Sequence, residues 1–122
     1  MPLLILVVDD DQVACTGLVA LLESAGFAAT GAGSFEEATK ALATTTPDLL
    51  VADVRLAAFN GLHLLHRSRG THPRMASIVI SGYPDEGIEH DARQAGAAAF
   101  LLKPLDPPAF LAKVTEVLAS RP

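Results

Sequence analysis

The feature of this sequence that most constrains its fold is an alternation between short apolar runs and longer segments with helical periodicity. A weak apolar run at Phe27–Thr30 suits an edge strand. Four stronger runs have the continuous apolar character of strands buried in a parallel sheet: Leu3–Val8, Leu49–Ala52, Ser77–Ile80 and Ala98–Leu102. Strands that alternate with helices in this way predict an α/β fold with helices on both faces of the sheet.

The segments between these runs carry helix start and stop signals. An apolar stripe runs from Leu18 to Ala25 with helical spacing, and Gly26 follows it as a C-terminal cap. Ser34 and Glu37 have the spacing of a capping box. Three further helices are predicted: Gly61–Ser68, Asp85–Ala95 and Pro107–Ala119. Five strands and five helices favour a flavodoxin-like, doubly wound parallel sheet of order 2-1-3-4-5.

Length and composition favour one domain over residues 1–122, in the cytoplasm. The chain has 122 residues, half of them hydrophobic, which is the size of one ordinary core. It contains no apolar run long enough for a membrane span, and the apolar start lacks the basic region of a signal peptide. The single cysteine, Cys15, is expected to be a buried hydrophobe. A net charge of −5 argues against nucleic-acid binding by this chain.

Polar residues follow each strong apolar run, where a parallel sheet brings strand ends together. The first run leads into Asp9–Asp11 and the next into Asp53, whereas the last two lead into Ser81 and Lys103. Open α/β sheets bind their ligands at this carboxyl edge. Asp11 is expected to cap the following helix. Asp10 is expected to be a buried carboxylate whose replacement by Asn relieves repulsion in the metal-free pocket.

Such a pocket has the chemistry of a phosphoryl-transfer site. Closely packed carboxylates favour a hard divalent cation with oxygen ligands, Mg²⁺, which Mn²⁺ can replace. Lys103 adds a compact positive charge for phosphate, and Ser81 adds a hydroxyl donor. A carboxylate in this setting can act as a nucleophile and form an aspartyl phosphate.

Four blocks of the sequence resemble the signatures of receiver domains of two-component response regulators, in particular those of the chemotaxis-regulator kind. The blocks are Leu3–Asp11, Leu49–Asp53, Ile80–Gly82 and Phe100–Pro104. The resemblance extends over essentially the whole chain. The sequence departs from the family pattern at Ala57–Gly61, where the family usually has a proline before the glycine. Without that proline, we expect the backbone of this loop to be less rigid.

The resemblance implies a role for each residue of the pocket. Asp53 is the phosphoacceptor, and Asp10 is the main metal carboxylate. Asp53 and the main-chain carbonyl of Arg55 also bind the metal. Asp9 acts on the metal indirectly, through a water molecule or another ligand. Lys103 binds the phosphoryl group, and Asp53, Lys103 and Ser81 are the catalytic side chains of the reaction.

The same resemblance implies the switching parts. Ser81 is the switch hydroxyl and Phe100 the switch aromatic, and the Lys103–Pro104 peptide is cis. Arg55 and Tyr83, both large, flank the path of the water that hydrolyses the phosphate. We expect them to prolong the phosphorylated state, and Arg55 to contact the phosphoryl group or to pair with Tyr83 across the pocket mouth.

The implied function is a phosphorylated switch with self-phosphorylating and slow autophosphatase activity. A sensor histidine kinase or phosphotransfer protein supplies the phosphoryl group. The surface of the fourth helix, fifth strand and fifth helix then signals to an effector domain or protein, without direct nucleic-acid or membrane binding. The sequence is compatible with a stand-alone receiver and with part of a longer regulator.

Two alternatives explain the sequence less well. A haloacid-dehalogenase-like Mg²⁺-dependent phosphatase matches Asp9–Val13 formally, but it needs a later acidic pair, and Asp106 and Glu116 are ten residues apart. It also leaves Asp53 without a role. A flavodoxin-like FMN module needs a hydroxyl- and glycine-rich phosphate loop after the first strand, where three aspartates would repel the flavin phosphate.

Overall fold

The computed structural model describes residues 2–56 and 59–121. Its strands, in chain order, are β1 (Leu4–Val8), β2 (Ala28–Ala32), β3 (Leu49–Asp53), β4 (Arg55–Leu56), β5 (Phe59–Asn60), β6 (Ala76–Ser81) and β7 (Ala99–Leu102). Five of them form one parallel sheet of order β2-β1-β3-β6-β7. Counting those five alone, the order is 2-1-3-4-5, so the predicted flavodoxin-like fold is confirmed. The two-residue strands β4 and β5 pair antiparallel between β3 and the third helix.

Five helices connect the sheet strands: α1 (Gln12–Ser24), α2 (Phe35–Thr44), α3 (Gly61–Thr71), α4 (Glu86–Gln94) and α5 (Pro107–Ala119). The predicted third helix was three residues too short, because it was ended at Ser68 although the helix continues through Gly70. The predicted second strand was also displaced, and β2 runs two residues further, to Ala32. None of the helices in the described residues is long and apolar enough to cross a membrane.

Local sequence explains where the helices begin and end. Asp11 caps α1, accepting hydrogen bonds from the main chain of Val13 and Ala14, as predicted. Gly26 adopts a φ of 95° after α1, and the chain closes there in a Schellman motif. In the predicted capping box, Ser34 accepts from Glu37 N–H, but the Glu37 carboxylate bonds to Gly33 N–H and not to that of Ser34.

The strands divide the apolar side chains between two cores because successive residues point to opposite faces of the sheet. Leu6, Val8 and Leu50 belong to the core that is covered by α2, α3 and α4. Ile5 and Val51 belong to the opposite core, which is covered by α1 and α5. Cys15 is buried in that second core, as predicted. With both faces covered, the carboxyl edge of the sheet is left to carry polar side chains.

Candidate functional site

The carboxyl edge of the sheet brings together polar residues that are far apart in the sequence. Asp9 directly follows β1, and Lys103 directly follows β7. Asp53 and Ser81 are the last residues of β3 and β6. All four strands run parallel and adjacent, so these four side chains leave the sheet at one edge, as the sequence predicted.

A single ammonium group joins the two buried carboxylates of this edge. Lys103 Nζ donates to Asp53 Oδ2 at 2.5 Å and to Asp9 Oδ2 at 3.2 Å. The side chains of Asp9 and Asp53 are 3% and 9% exposed, and that of Lys103 is 33% exposed. Residues separated by 94 and 50 positions in the chain therefore share one ion-paired cluster. Lys103 provides the charge that makes two buried carboxylates tolerable side by side.

Burial and neighbouring charges shift the ionisation of this cluster. Burial raises the pKa of Asp9, and the Asp53 carboxylate adds to the rise, against the opposing effects of Asp11 N–H and Lys103. Burial alone would lower the pKa of Lys103, but hydrogen bonds and charge from Asp53 and Asp9 outweigh it and raise that pKa. Lys103 is therefore held as a cation beside Asp53.

The main chain around Asp53 fixes its carboxylate. Arg55 N–H donates to Asp53 Oδ1 at 2.8 Å, so both carboxylate oxygens have a donor. Gly61 N–H bonds to Val54 O at 2.8 Å and brings the start of α3 against the end of β3. A Cβ at Gly61 would lie 2.1 Å from Asp53 O. Gly61 was predicted as the first residue of the third helix and as the retained glycine of the family loop, but its close contact with Asp53, which excludes a side chain without movement, was not predicted. Ala57 and Ala58, in the same loop, lie outside the described residues.

The environment of Asp10 differs from the one expected from the sequence. Asp10 is exposed, whereas Asp9 is the buried member of the pair, so the prediction of a buried Asp10 was wrong. Asp10 lines a cavity of about 500 Å³ that also contacts Asp9 and Glu37, between the end of β1 and the start of α2. The physical reason is that β1 ends at Val8 and the chain turns outward after Asp9 toward the cap of α1.

The donor chemistry of this edge fits a magnesium ion. In the described part of the chain, no three His, Cys, Asp or Glu side chains form a group that could enclose a metal. Mg²⁺ does not need such a group, because it keeps several waters and takes one or two carboxylates. Carboxylate and carbonyl oxygens are the donors it prefers, and the ligands that the resemblance implies, Asp53, Asp10 and the Arg55 carbonyl, are of these types.

The Ser81 hydroxyl is hydrogen-bonded to the main chain of Tyr83, and the ring of Tyr83 contacts Arg55. Ser81 Oγ donates to Tyr83 O at 3.2 Å and accepts from Tyr83 N–H at 3.1 Å. The Arg55 guanidinium lies 4.1 Å from the centre of the Tyr83 ring, and its Nη1 is 3.4 Å from the Tyr83 hydroxyl. The expected pairing of Arg55 with Tyr83 is thus present. Because Arg55 and Tyr83 follow Asp53 and Ser81 by two residues each, this pair stands beside the two strand ends.

The remaining predicted residues lie on β7 and just after it. Phe100 is half-buried and packs against the core beneath α2, α3 and α4. The peptide bond between Lys103 and Pro104 is cis, as the resemblance implied. Leu102, 44% exposed, lies on the same strand as Phe100, so β7 presents apolar surface next to α4 and α5.

Comparison with known proteins identifies the family of the chain. The profile of the response regulator receiver domain family matches residues 5–115. The DNA-binding transcriptional regulator NtrC of Klebsiella pneumoniae is 36% identical over 100 residues, which are 82% of this chain and 21% of that protein. The chain thus spans about a fifth of the length of this relative.

Solved structures repeat the fold closely. A CheY-like receiver domain protein from Methanospirillum hungatei superposes with a TM-score of 0.93 at 28% identity, covering 98% of this chain and 95% of that one. A response regulator from Burkholderia pseudomallei, solved with a phosphorylated aspartic acid, a calcium ion and citrate, gives a TM-score of 0.85 at 26% identity, covering 97% and 75%.

The chain belongs to the response regulator receiver domain family of two-component signalling. These comparisons do not support the alternative of a haloacid-dehalogenase-like phosphatase.

Proposed function

We propose that this domain accepts a phosphoryl group on Asp53 from a sensor histidine kinase or phosphotransfer protein and signals through an altered surface. The observation that carries the proposal is the contact of Lys103 Nζ with the buried carboxylates of Asp53 and Asp9 at the carboxyl edge of the sheet. A purely structural role for two buried carboxylates is unfavourable, because apolar residues fill such positions at lower cost. Phosphoryl transfer, in contrast, can use this arrangement, because Lys103 stabilises the phosphoryl oxygens while the carboxylates offer a nucleophile and ligands for a divalent cation.

The reaction proposed here is an in-line transfer. One carboxylate oxygen of Asp53 forms the new P–O bond while the P–N bond to the donor imidazole breaks, and the ring nitrogen keeps the electron pair. The Arg55 N–H orients the Asp53 carboxylate. Lys103, whose Nζ donates to Asp53 Oδ2, neutralises the negative charge that develops on the phosphoryl oxygens. Later attack of water on phosphorus returns Asp53 and inorganic phosphate, which is the slow autophosphatase activity.

Asp53, Asp10 and the Arg55 carbonyl are the groups that would hold Mg²⁺ or Mn²⁺ here, with Asp9 acting through water or another ligand. A cation bound there would neutralise negative charge on the phosphoryl group, as Lys103 also does. The calcium ion and phosphorylated aspartic acid of the Burkholderia regulator support this assignment by analogy.

Switching would begin at Ser81. Its hydroxyl now bonds to the main chain of Tyr83, and a phosphoryl group on Asp53 offers a stronger, charged acceptor. Movement of Ser81 toward Asp53 would release Tyr83 and vacate space for Phe100, biasing the surface of α4, β7 and α5 toward a partner-binding form. The partner is an effector domain or protein. The cytoplasm is the proposed location, and we propose no nucleic-acid or membrane contact by this chain itself.

Phosphorylation with a small donor tests the proposal directly. The protein with Mg²⁺ and acetyl phosphate should gain one phosphoryl group, mapped to Asp53 by mass spectrometry, and Asp53→Asn should abolish it. Asp11→Asn is the matched control, because Asp11 lies at the same edge but caps α1, and Asn caps a helix equally well. Equal labelling of Asp53→Asn and the wild type would refute the assignment.

A further inference from the structure

A second cavity lies at the opposite end of the sheet from Asp53. It has a volume of about 430 Å³ and is bounded by the first residues of β6 and by the ends of α3, α4 and α5. We call it the amino-edge cavity; its lining includes Arg69, His72, Met75, Ser77, Val117 and Arg121. It shares no lining residue with the Asp53 cluster, and its volume is within the range of small-ligand sites, roughly 300–1,000 Å³.

Two arginines from different elements line this cavity, and both are held in place. Arg69, on α3, donates from Nη1 to Gln94 O at 3.2 Å. Its guanidinium also packs over Gly96, where an added Cβ would lie 3.3 Å from Arg69 Nε. Arg121, after α5, is ion-paired through Nη1 with Asp48. A guanidinium has five N–H donors, so one hydrogen bond fixes its position and leaves most of its donors for a ligand.

The cavity lining carries two arginines, and the pairing of Arg121 with Asp48 leaves a net positive charge that favours an anion. None of the described residues that line it is a carboxylate, although the chain as a whole has a net charge of −5. Across the sequence, no Asp or Glu occurs between Asp53 and Asp85, whereas that interval contains four arginines. Asp48, which pairs with Arg121, lines a neighbouring cavity. Anchored guanidiniums bind phosphate well, because they form paired hydrogen bonds and lose little side-chain entropy.

Apolar side chains form the other wall. Met75 precedes β6, and Val117 comes from the buried face of α5. An inorganic anion would leave this wall against water, whereas an anion with a flat apolar group would cover it. We propose that the amino-edge cavity binds a small organic phosphate of nucleoside monophosphate size, with the phosphate at Arg69 and Arg121 and the apolar group against Met75 and Val117.

Titration of the ¹⁵N-labelled chain with adenosine monophosphate, without Mg²⁺, tests this site. We expect saturable shifts of the Gly96, Ala98 and Arg121 amides, with adenosine and inorganic phosphate each binding about tenfold more weakly. Shifts that do not saturate, shifts centred on Asp53, or equal affinity for inorganic phosphate would overturn the proposal.

Two arginine variants of α3 separate a specific site from general charge attraction. Arg69→Gln should weaken binding of adenosine monophosphate about tenfold, since a charged hydrogen-bond partner is lost. Arg67→Gln is the matched control, because Arg67 is exposed on the same helix and does not line this cavity. Arg69→Lys keeps the charge without the planar fork and should bind with intermediate affinity, which covers the case in which Arg69→Gln does not fold. Equal loss in the Arg67 and Arg69 variants would contradict a defined site.

Discussion

At the scale of single residues, the central feature is one lysine shared by two buried carboxylates. Burying a carboxylate disfavours its charged form, and a second carboxylate nearby adds repulsion. Lys103 opposes both effects without cancelling them, so the pKa of Asp9 remains raised. The cluster therefore holds unfavourable charge in the folded protein, as sites that bind phosphate and cations commonly do.

Asp9→Asn should stabilise the metal-free protein at neutral pH. A raised pKa in the folded state means that the contribution of Asp9 to stability is full below its unfolded pKa of about 3.9 and is lost as the pH rises through the folded value. Asparagine cannot ionise, so it avoids this loss of stability at high pH, and its amide oxygen can still accept a hydrogen bond from Asp11 N–H. The melting temperature should rise by a few degrees at pH 7, and the gain should vanish toward pH 4.

The control for this prediction is Asp91→Asn, which removes one exposed carboxylate on α4. It should leave the melting temperature nearly unchanged at both pH values. A lower melting temperature for Asp9→Asn at pH 7 would show that the ion pair with Lys103 outweighs the effect of burial.

Arg55 and Tyr83 should prolong the phosphorylated state if Asp53 accepts phosphate as proposed. Their stacked side chains lie beside the two strand ends that water must approach. Replacing Arg55 by Asn and Tyr83 by Glu, singly and together, should speed phosphate loss from purified phosphoprotein with Mg²⁺. A tenfold change corresponds to about 1.4 kcal/mol of barrier, well within the effect of one such contact. Arg67→Asn serves as the control, and unchanged or slower decay in the double variant would rule out this role.

At the scale of elements, the close approach of α3 to the end of β3 constrains the main chain at Asp53. Gly61 begins α3 directly against the main chain of Asp53, so the helix can start there only without a side chain. The hydrogen bond from Gly61 N–H to Val54 O closes this contact. A glycine at the first position of a helix is ordinarily dispensable, whereas this one sets the distance between α3 and the site.

Gly61→Ala should destabilise the fold by about 1–3 kcal/mol, because a Cβ 2.1 Å from Asp53 O forces the backbone to move. Chemical denaturation measures the change. The matched control is Gly17→Ala, at an exposed helix position where a new Cβ meets nothing within 4 Å. That variant should gain about 0.5–1 kcal/mol. A neutral Gly61→Ala would mean that the loop relaxes without strain.

The strong elements were predictable from sequence because their patterns are local. Continuous apolar runs identify β1 and β3, which are buried on both faces, and the cap at Asp11 is set by its own hydrogen bonds. The end of β2 was missed because Gly31 has no strand propensity, and β2 reaches Ala32 by pairing with β1. The exposure of Asp10 was missed because strand alternation no longer applies where the chain leaves the sheet.

At the scale of the whole molecule, charged residues gather at both edges of the sheet. The carboxyl edge holds the aspartates, and the amino edge holds arginines of α3 and of the chain after α5. The pairing of Arg55 with Tyr83 was expected from the resemblance, whereas the amino-edge cavity was not predicted, because it depends on residues that only the tertiary structure brings together. Asp48 joins the amino edge to the first strand, since its carboxylate accepts from both Leu4 N–H and Arg121.

Arg121→Gln tests how much this junction stabilises the whole chain. Burial acts to raise the pKa of Asp48, but the hydrogen bond and charge of Arg121, with Leu4 N–H, outweigh it and lower that pKa. A lowered pKa gives stability that is present above the unfolded value of about 3.9 and is lost as the pH falls through the folded value. Because both side chains are about one quarter exposed, we expect Arg121→Gln to lose about 0.5–1 kcal/mol at pH 7.

The pH dependence distinguishes this ion pair from a loss of packing. The difference in unfolding free energy between the wild type and Arg121→Gln should shrink as Asp48 becomes protonated below about pH 4. Arg74→Gln is the matched control: Arg74 lines the same neighbouring cavity, yet no ion pair of Arg74 occurs among residues 2–56 and 59–121. Its unfolding free energy should stay close to that of the wild type throughout. A difference for Arg121→Gln that does not shrink as the pH falls below about 4 would contradict the electrostatic account, because protonation of Asp48 removes its charge-assisted bond to Arg121.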